Sequence, residues 1–168
     1  DLFGGYITHA SGITSTTGII NETNSLYGTI PGLRIGEYPL IPLENGNFLI
    51  QSIYAEPPDG TGALVLRHAI GWVDGETGGA GALGADNLMT ARVSSGSVES
   101  FRVYPQSDGS YLAAYTTWLA EDGTFGSAVH WASGTAPESG IISPENSLVR
   151  FGRSIYYLDI EETPLGDS

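Results

Sequence analysis

The sequence predicts an all-β repeat protein, on three observations. The first is a period of about sixty residues: Gly12, Gly71 and Gly134 open three units, Asn24, Asn87 and Asn146 follow, and Pro42, Pro105 and Pro164 each stand eighteen residues later. A period of this size marks units that bury their apolar faces against their neighbours. The second is a set of short runs rich in β-branched and aromatic residues, each bounded by turn formers, at matching places in the units. The third is the spread of 24 glycines, which breaks any helical periodicity.

The elements follow in unit order. A strand is predicted before each proline, at Ile35 to Ile41, Val98 to Tyr104 and Tyr156 to Ile160. A second follows the turns Asn45-Gly46 and Asp108-Gly109, at Phe48 to Tyr54 and Tyr111 to Trp118, because Asn-Gly and Asp-Gly supply the left-handed conformations of tight hairpins. A third follows Asp59-Gly60-Thr61 and Asp122-Gly123-Thr124, at Leu64 to Ile70 and Ala128 to Ala132, with Tyr6 to Ala10 as its counterpart in the first unit. Weaker, shorter segments surround Gly18-Ile19-Ile20 with Asn24-Ser25-Leu26, and Gly140-Ile141-Ile142 with Asn146-Ser147-Leu148.

A gapless 63-residue offset from Pro42/Pro105 to Gly71/Gly134 relates the first two units. It places four extra residues of the second within Asp74 to Asp86, as an expanded surface loop. The units run over about 1–58, 59–121 and 122–168 in one domain, the third lacking the counterpart of Phe48 to Tyr54 and Tyr111 to Trp118. Units of three or four antiparallel strands are how propeller blades are built; a pseudo-threefold trefoil or prism and a β-solenoid are the alternatives. The stretches Asn45 to Gly71 and Asp108 to Gly134 resemble blades of sialidase-type propellers and repeats of large secreted bacterial surface proteins. That resemblance implies architecture alone: Asp122-Gly123-Thr124-Phe125 departs from the sialidase Asp-box, and no catalytic residue carries over.

The charge balance narrows the function classes. Nineteen acidic residues face six arginines and no lysine, a formal net charge of -13, which repels nucleic acid and attracts divalent cations. Without lysine or cysteine, Schiff-base, thiol and disulfide chemistry are excluded. No apolar run reaches the length of a membrane-spanning helix. His9, His68 and His130 all fall on the third strand, but a one-residue slip in register separates His130 from the other two and argues against a shared metal.

Three groups remain as candidate sites. Trp72, Trp118 and Trp131 lie near strand ends, where rigid aromatics suit glycan or protein recognition. Asp74, Glu76 and Asp86 flank a glycine-rich loop that would offer oxygen ligands to calcium, although no cofactor is required and no strict calcium signature is present. Tyr156, Tyr157, Leu158 and Ile160 would form an open edge for a partner or a second copy, or for the strand at Tyr6 to Ala10 closing back. No nucleophile elbow, phosphate loop or basic patch is present. The expectation is a non-catalytic structural or interaction module, extracellular or at the cell surface. A lectin-like carbohydrate-binding module and a glycoside-active propeller enzyme, or a fragment of one, are the alternatives.

Overall fold

A computed structural model describes residues 5–10, 17–56, 65–94 and 100–152. Twelve strands occur among them: β1 (Tyr6–Ile7), β2 (Leu26–Gly28), β3 (Ile41–Pro42), β4 (Phe48–Glu56), β5 (Val65–Val73), β6 (Gly81–Leu83), β7 (Leu88–Val93), β8 (Phe101–Pro105), β9 (Tyr111–Leu119), β10 (Phe125–Ala132), β11 (Gly140–Ile141) and β12 (Leu148–Phe151). Two antiparallel meanders dominate, β3-β4-β5-β7 and β8-β9-β10-β12, joined where Val93 pairs with Trp118. The smaller sheet, β1-β2-β6, joins two strands of the partial first unit to β6 of the next. The chain is an all-β repeat protein.

The repeat is legible bond by bond. Gly46 and Gly109 adopt φ of 87° and 86°, and each closes a turn in which the amide after it takes a side-chain oxygen: Asn47 N to Asn45 Oδ1, Ser110 N to Asp108 Oδ1. Pro42 then pairs with Phe48, and Pro105 with Tyr111, the same register 63 residues apart. The three asparagines are also equivalent. Asn24 Nδ2 donates to Ile19 O, Asn87 Nδ2 to Ala82 O and Asn146 Nδ2 to Ile141 O, at 2.9, 2.7 and 2.9 Å. Their Oδ1 atoms accept from Asn21 N, Gly84 N and Ser143 N. Each bracket follows a glycine in a conformation that favours glycine, Gly18, Gly81 or Gly140, with φ of 135°, 119° and 125°.

Strand register corrects the sequence frame at one point. Phe48 pairs with Val73, 25 residues on, whereas Tyr111 pairs with Ala132, 21 residues on. The extra four residues therefore lie between β4 and β5, and the loop after Asp74 is not expanded. Gly75, not Gly71, is the counterpart of Gly134: a Cβ on Gly75 would lie 1.7 Å from Gly46 O, and one on Gly134 2.1 Å from Gly109 O. Trp72 and Trp131 thereby become equivalent, each paired with a leucine, Leu49 or Leu112.

Packing follows from the two-residue period of strands. One face of the first meander (Ile50, Tyr54, Ala69, Val73, Leu88) packs with Leu26, Leu33 and Ile35 of the first unit. Its other face (Leu49, Ile70, Met89, Val93, with Trp72 and Ile41 partly buried) packs with Phe101, Tyr111, Tyr115 and Ile142 of the next unit. Covered on both sides, β5 is buried almost continuously instead of alternately. The units thus stack in series, each covering the outer face of the one before.

Two strand expectations are corrected. Ile35 to Ile41 is extended only at its end, because turns close at Leu33 N to Ile30 O and Glu37 N to Arg34 O, and Gly36 takes φ of 82°. The segments after the asparagines are regular strands, β7 spanning Leu88–Val93. The strand at Tyr6 pairs with β2, within the first unit. Tyr156 to Ile160 lies outside the described residues.

Candidate functional site

The outer face of the second meander is the counterpart of a face that is covered one unit earlier. Ile41, Leu49, Ile70, Trp72 and Met89 pack beneath the second meander, and their equivalents are Tyr104, Leu112, Val129, Trp131 and Leu148. Pairing puts these on one face: Tyr104 opposes Leu112, Leu112 opposes Trp131, and Val129 opposes Leu148. Leu148 is 81% exposed, against 4% for Met89 and 9% for Leu26 at the same place in earlier units. Trp131 is 58% exposed. Large apolar side chains exposed together on one face mark an interaction surface.

The three tryptophans therefore separate. Trp131 presents its ring to solvent. Trp118 is fully buried, its ring tilted against that of Phe151 at 5.7 Å, with its indole N–H donating to Ile142 O. Trp72 joins units: its Nε1 donates to Gly134 O at 2.7 Å, a carbonyl that Asn45 Nδ2 and Asn47 Nδ2 also approach, at 2.9 and 3.0 Å. Its outer face is occupied by the next unit.

The candidate calcium ligands are not brought together. Asp74 Oδ1 accepts from the amide and hydroxyl of Thr77 and the amide of Glu76, and the Thr77 bonds hold its carboxyl below the ordinary value. Glu76 and Asp86 are exposed. Among the described residues no three His, Asp or Glu side chains converge as a metal site.

The histidines also part. His68 is buried between the meanders, 5.0 Å from the Phe101 ring, and burial pushes its imidazole down to about 4. His130 Nδ1 lies 3.0 Å from Asn146 O and its Nε2 3.0 Å from Glu138. His9 is exposed.

One polar cluster carries no repeat signal and is invisible in the sequence. Arg67 is buried and grips Glu56 through Nε and Glu121 through Nη2, while Arg92 Nη1 donates to Glu121 O. Arg67 and Glu56 line a cleft of about 300 Å³ with Tyr54, Leu88, Thr90 and Ile141. The exposed face, by contrast, was within reach of sequence reasoning, since Leu148 falls in the repeat frame. What was missing was that earlier members of that frame are buried.

A family model described as Repeat of unknown function (DUF5650) matches residues 3–37, 42–98 and 105–152. Its second and third segments each begin at the proline that ends β3 or β8 and stop just past β7 or β12, so they follow the two meanders. No curated protein and no solved structure matches the chain.

Proposed function

The chain belongs to the DUF5650 repeat family, and we propose that it is a non-catalytic interaction module of an extracellular or cell-surface assembly, working through the outer face of β8-β9-β10-β12. One observation carries this: Trp131 and Leu148 are exposed where their equivalents, Trp72 and Met89, lie under a neighbouring unit. A stacked repeat leaves such a face for whatever continues the stack. The net charge of -13 fits a surface module that keeps off nucleic acid. The test compares wild type with a Trp131→Lys/Leu148→Lys double variant for binding to immobilised wild-type chain and to a glycan array. Both substitutions fall on exposed positions, so the unfolding midpoint is expected to stay put while binding is lost. A variant that binds as well as wild type, or a wild type that binds neither, contradicts the proposal.

A second mode, glycan binding, is favoured by the Arg67 cleft. A guanidinium and carboxylate beside Tyr54, Thr90 and the apolar Leu88 and Ile141 suit the hydroxyls and the C–H face of one sugar ring, and about 300 Å³ is at the small end of ligand sites. Array binding abolished by Thr90→Val but kept by the Trp131/Leu148 double variant supports this mode. The opposite pattern excludes it.

A further inference from the structure

One type of junction forms twice among the described residues, and two further segments, Gly18–Ile20 and Leu148–Phe151, each carry one half of another. In the first junction β2 runs parallel to β6, Leu26 opposite Gly81, Tyr27 opposite Ala82 and Gly28 opposite Leu83. Gly81 N donates to Ser25 O at 3.0 Å, and Thr29 N to Leu83 O at 2.9 Å. In the second, β7 runs parallel to β11, Met89 opposite Gly140 and Thr90 opposite Ile141, with Ile142 N donating to Thr90 O at 2.8 Å. The register is the same: the second residue after the bracket asparagine faces the left-handed-region glycine of the next unit.

The third asparagine, Asn146, is followed in that register by Leu148. β12 ends its sheet and pairs with β10 alone among the described strands. At the other end, Gly18-Ile19-Ile20 carries the glycine and the asparagine bracket of the receiving segment, without a parallel partner among the described residues. Exposure records the two missing halves. Ile20 is 57% exposed, while its equivalents Leu83 and Ile142 are 2% exposed; Leu148 shows the same contrast with Leu26 and Met89.

The faces beside these edges match as well. The first unit turns Ile7 and Leu26 inward, so their alternates Tyr6 and Tyr27, rings 6.2 Å apart, occupy the side away from the stack. Internally, that side of each unit covers the outer face of the one before. In the register of the two internal junctions, exposed Arg150 would face Ile20, two residues before exposed Glu22.

We propose that a second copy of this chain completes the junction head to tail, Gly18–Ile20 of one copy adding in parallel to Leu148–Arg150 of the other. The proposal rests on the interaction-module reading and names its partner. Leu148 then faces Gly18 of the second copy and Val149 faces its Ile19, Ser147 O accepts from Gly18 N, and Val149 O accepts from Ile20 N. The junction is strand addition at a sheet edge, with Tyr6 and Tyr27 of one copy over Trp131 and Leu148 of the other. Because the two surfaces differ, the association is heterologous and propagates into rings or filaments. Like-charged copies associate better as salt screens their repulsion.

The chain has no cysteine, which makes the register directly testable. Ile19→Cys and Val149→Cys variants are prepared separately and mixed under mild oxidation, with Ile19→Cys plus Thr124→Cys as the off-register control. The expected result is a disulfide-linked heterodimer at least tenfold above the control, since facing strand residues fall within disulfide reach. Sedimentation of wild type is expected to show mass rising with concentration and with salt, and Leu148→Lys to remain monomeric with its unfolding midpoint unchanged. Cross-linking no better than the control, or a wild type monomeric at all concentrations, overturns the proposal. If the outer face still binds a glycan in a Trp131- and Leu148-dependent way, the interaction module stands and only the partner is wrong.

Discussion

Leu26, Met89 and Leu148 occupy one place in three successive units, so truncating each to alanine deletes similar atoms in three environments. Leu26 and Met89 are at least nine-tenths buried, in clusters that include Leu33 and Val73 for one and Leu49 and Trp118 for the other. Removing a buried Leu or Met side chain costs about 2–5 kcal/mol, combining lost transfer energy with the cavity left behind. Leu148 keeps about a fifth of its surface from water. Full burial of a leucine stabilises by about 1.5–3 kcal/mol, so Leu148→Ala is expected to cost about 0.5 kcal/mol or less. The assay is urea and thermal unfolding at concentrations low enough to avoid association. For a chain of this size about 2–4 °C accompanies each kcal/mol, so Met89→Ala and Leu26→Ala should lower the midpoint by roughly 4–20 °C and Leu148→Ala by roughly 2 °C at most. Equal losses at all three positions would show that the outer face is covered within the chain and would refute the open end.

Three further outcomes follow from the packing. Burial holds His68 neutral, with its imidazole lowered to about 4 from 6.5, so the unfolded chain takes up a proton first as pH falls between these values. Stability should therefore decline as pH drops from about 7 through 4, by about 2 kcal/mol at pH 5, and His68→Phe should flatten that slope in urea titrations; an unchanged slope removes His68 as its source. Trp72→Phe deletes the indole N–H donated to Gly134 O and should cost about 1 kcal/mol, readable as a lower urea midpoint at unchanged m-value. Gly134→Ala combines φ of 66° with a Cβ placed 2.1 Å from Gly109 O, and should destabilise by more than about 2 kcal/mol, whereas Gly123→Ala, strained in φ but with open space, should cost less. Comparable losses at the two glycines would show that unit contact at Gly134 contributes nothing.

Much of the fold was legible because the signals are local. β4 and β9 begin where Asn45-Gly46 and Asp108-Gly109 force a tight turn, and their runs of β-branched and aromatic residues carry the strand onward. The frame slipped at Gly71 because that glycine keeps a gapless 63-residue offset to Gly134, while the change in length sits in the connection between β4 and β5. The constant twelve-residue step from Gly12, Gly75 and Gly134 to the asparagines was the better guide. Ile35 to Ile41 looked extended by composition, but turn closure around Gly36 overrode propensity. The Arg67 cleft was illegible because Glu56, Arg67 and Glu121 meet through cross-strand neighbours and have no spacing of their own. Trp72 and Trp131 are alike in sequence environment and differ in what packs on top of them among the described residues.

Amide exchange at the repeated glycine segments tests stacking and its open ends together. Gly81 and Ile142 donate into the preceding unit's strand, at Ser25 O and Thr90 O, so their amides should exchange slowly at every concentration. Gly18 and Ile20 hold the same places without a parallel partner among the described residues, so in dilute solution their amides should exchange quickly and slow down as concentration rises and copies join. Protection at Gly18 and Ile20 that equals that of Gly81 and Ile142 in dilute solution, or fast exchange that never responds to concentration, would contradict a stack whose two ends complete each other.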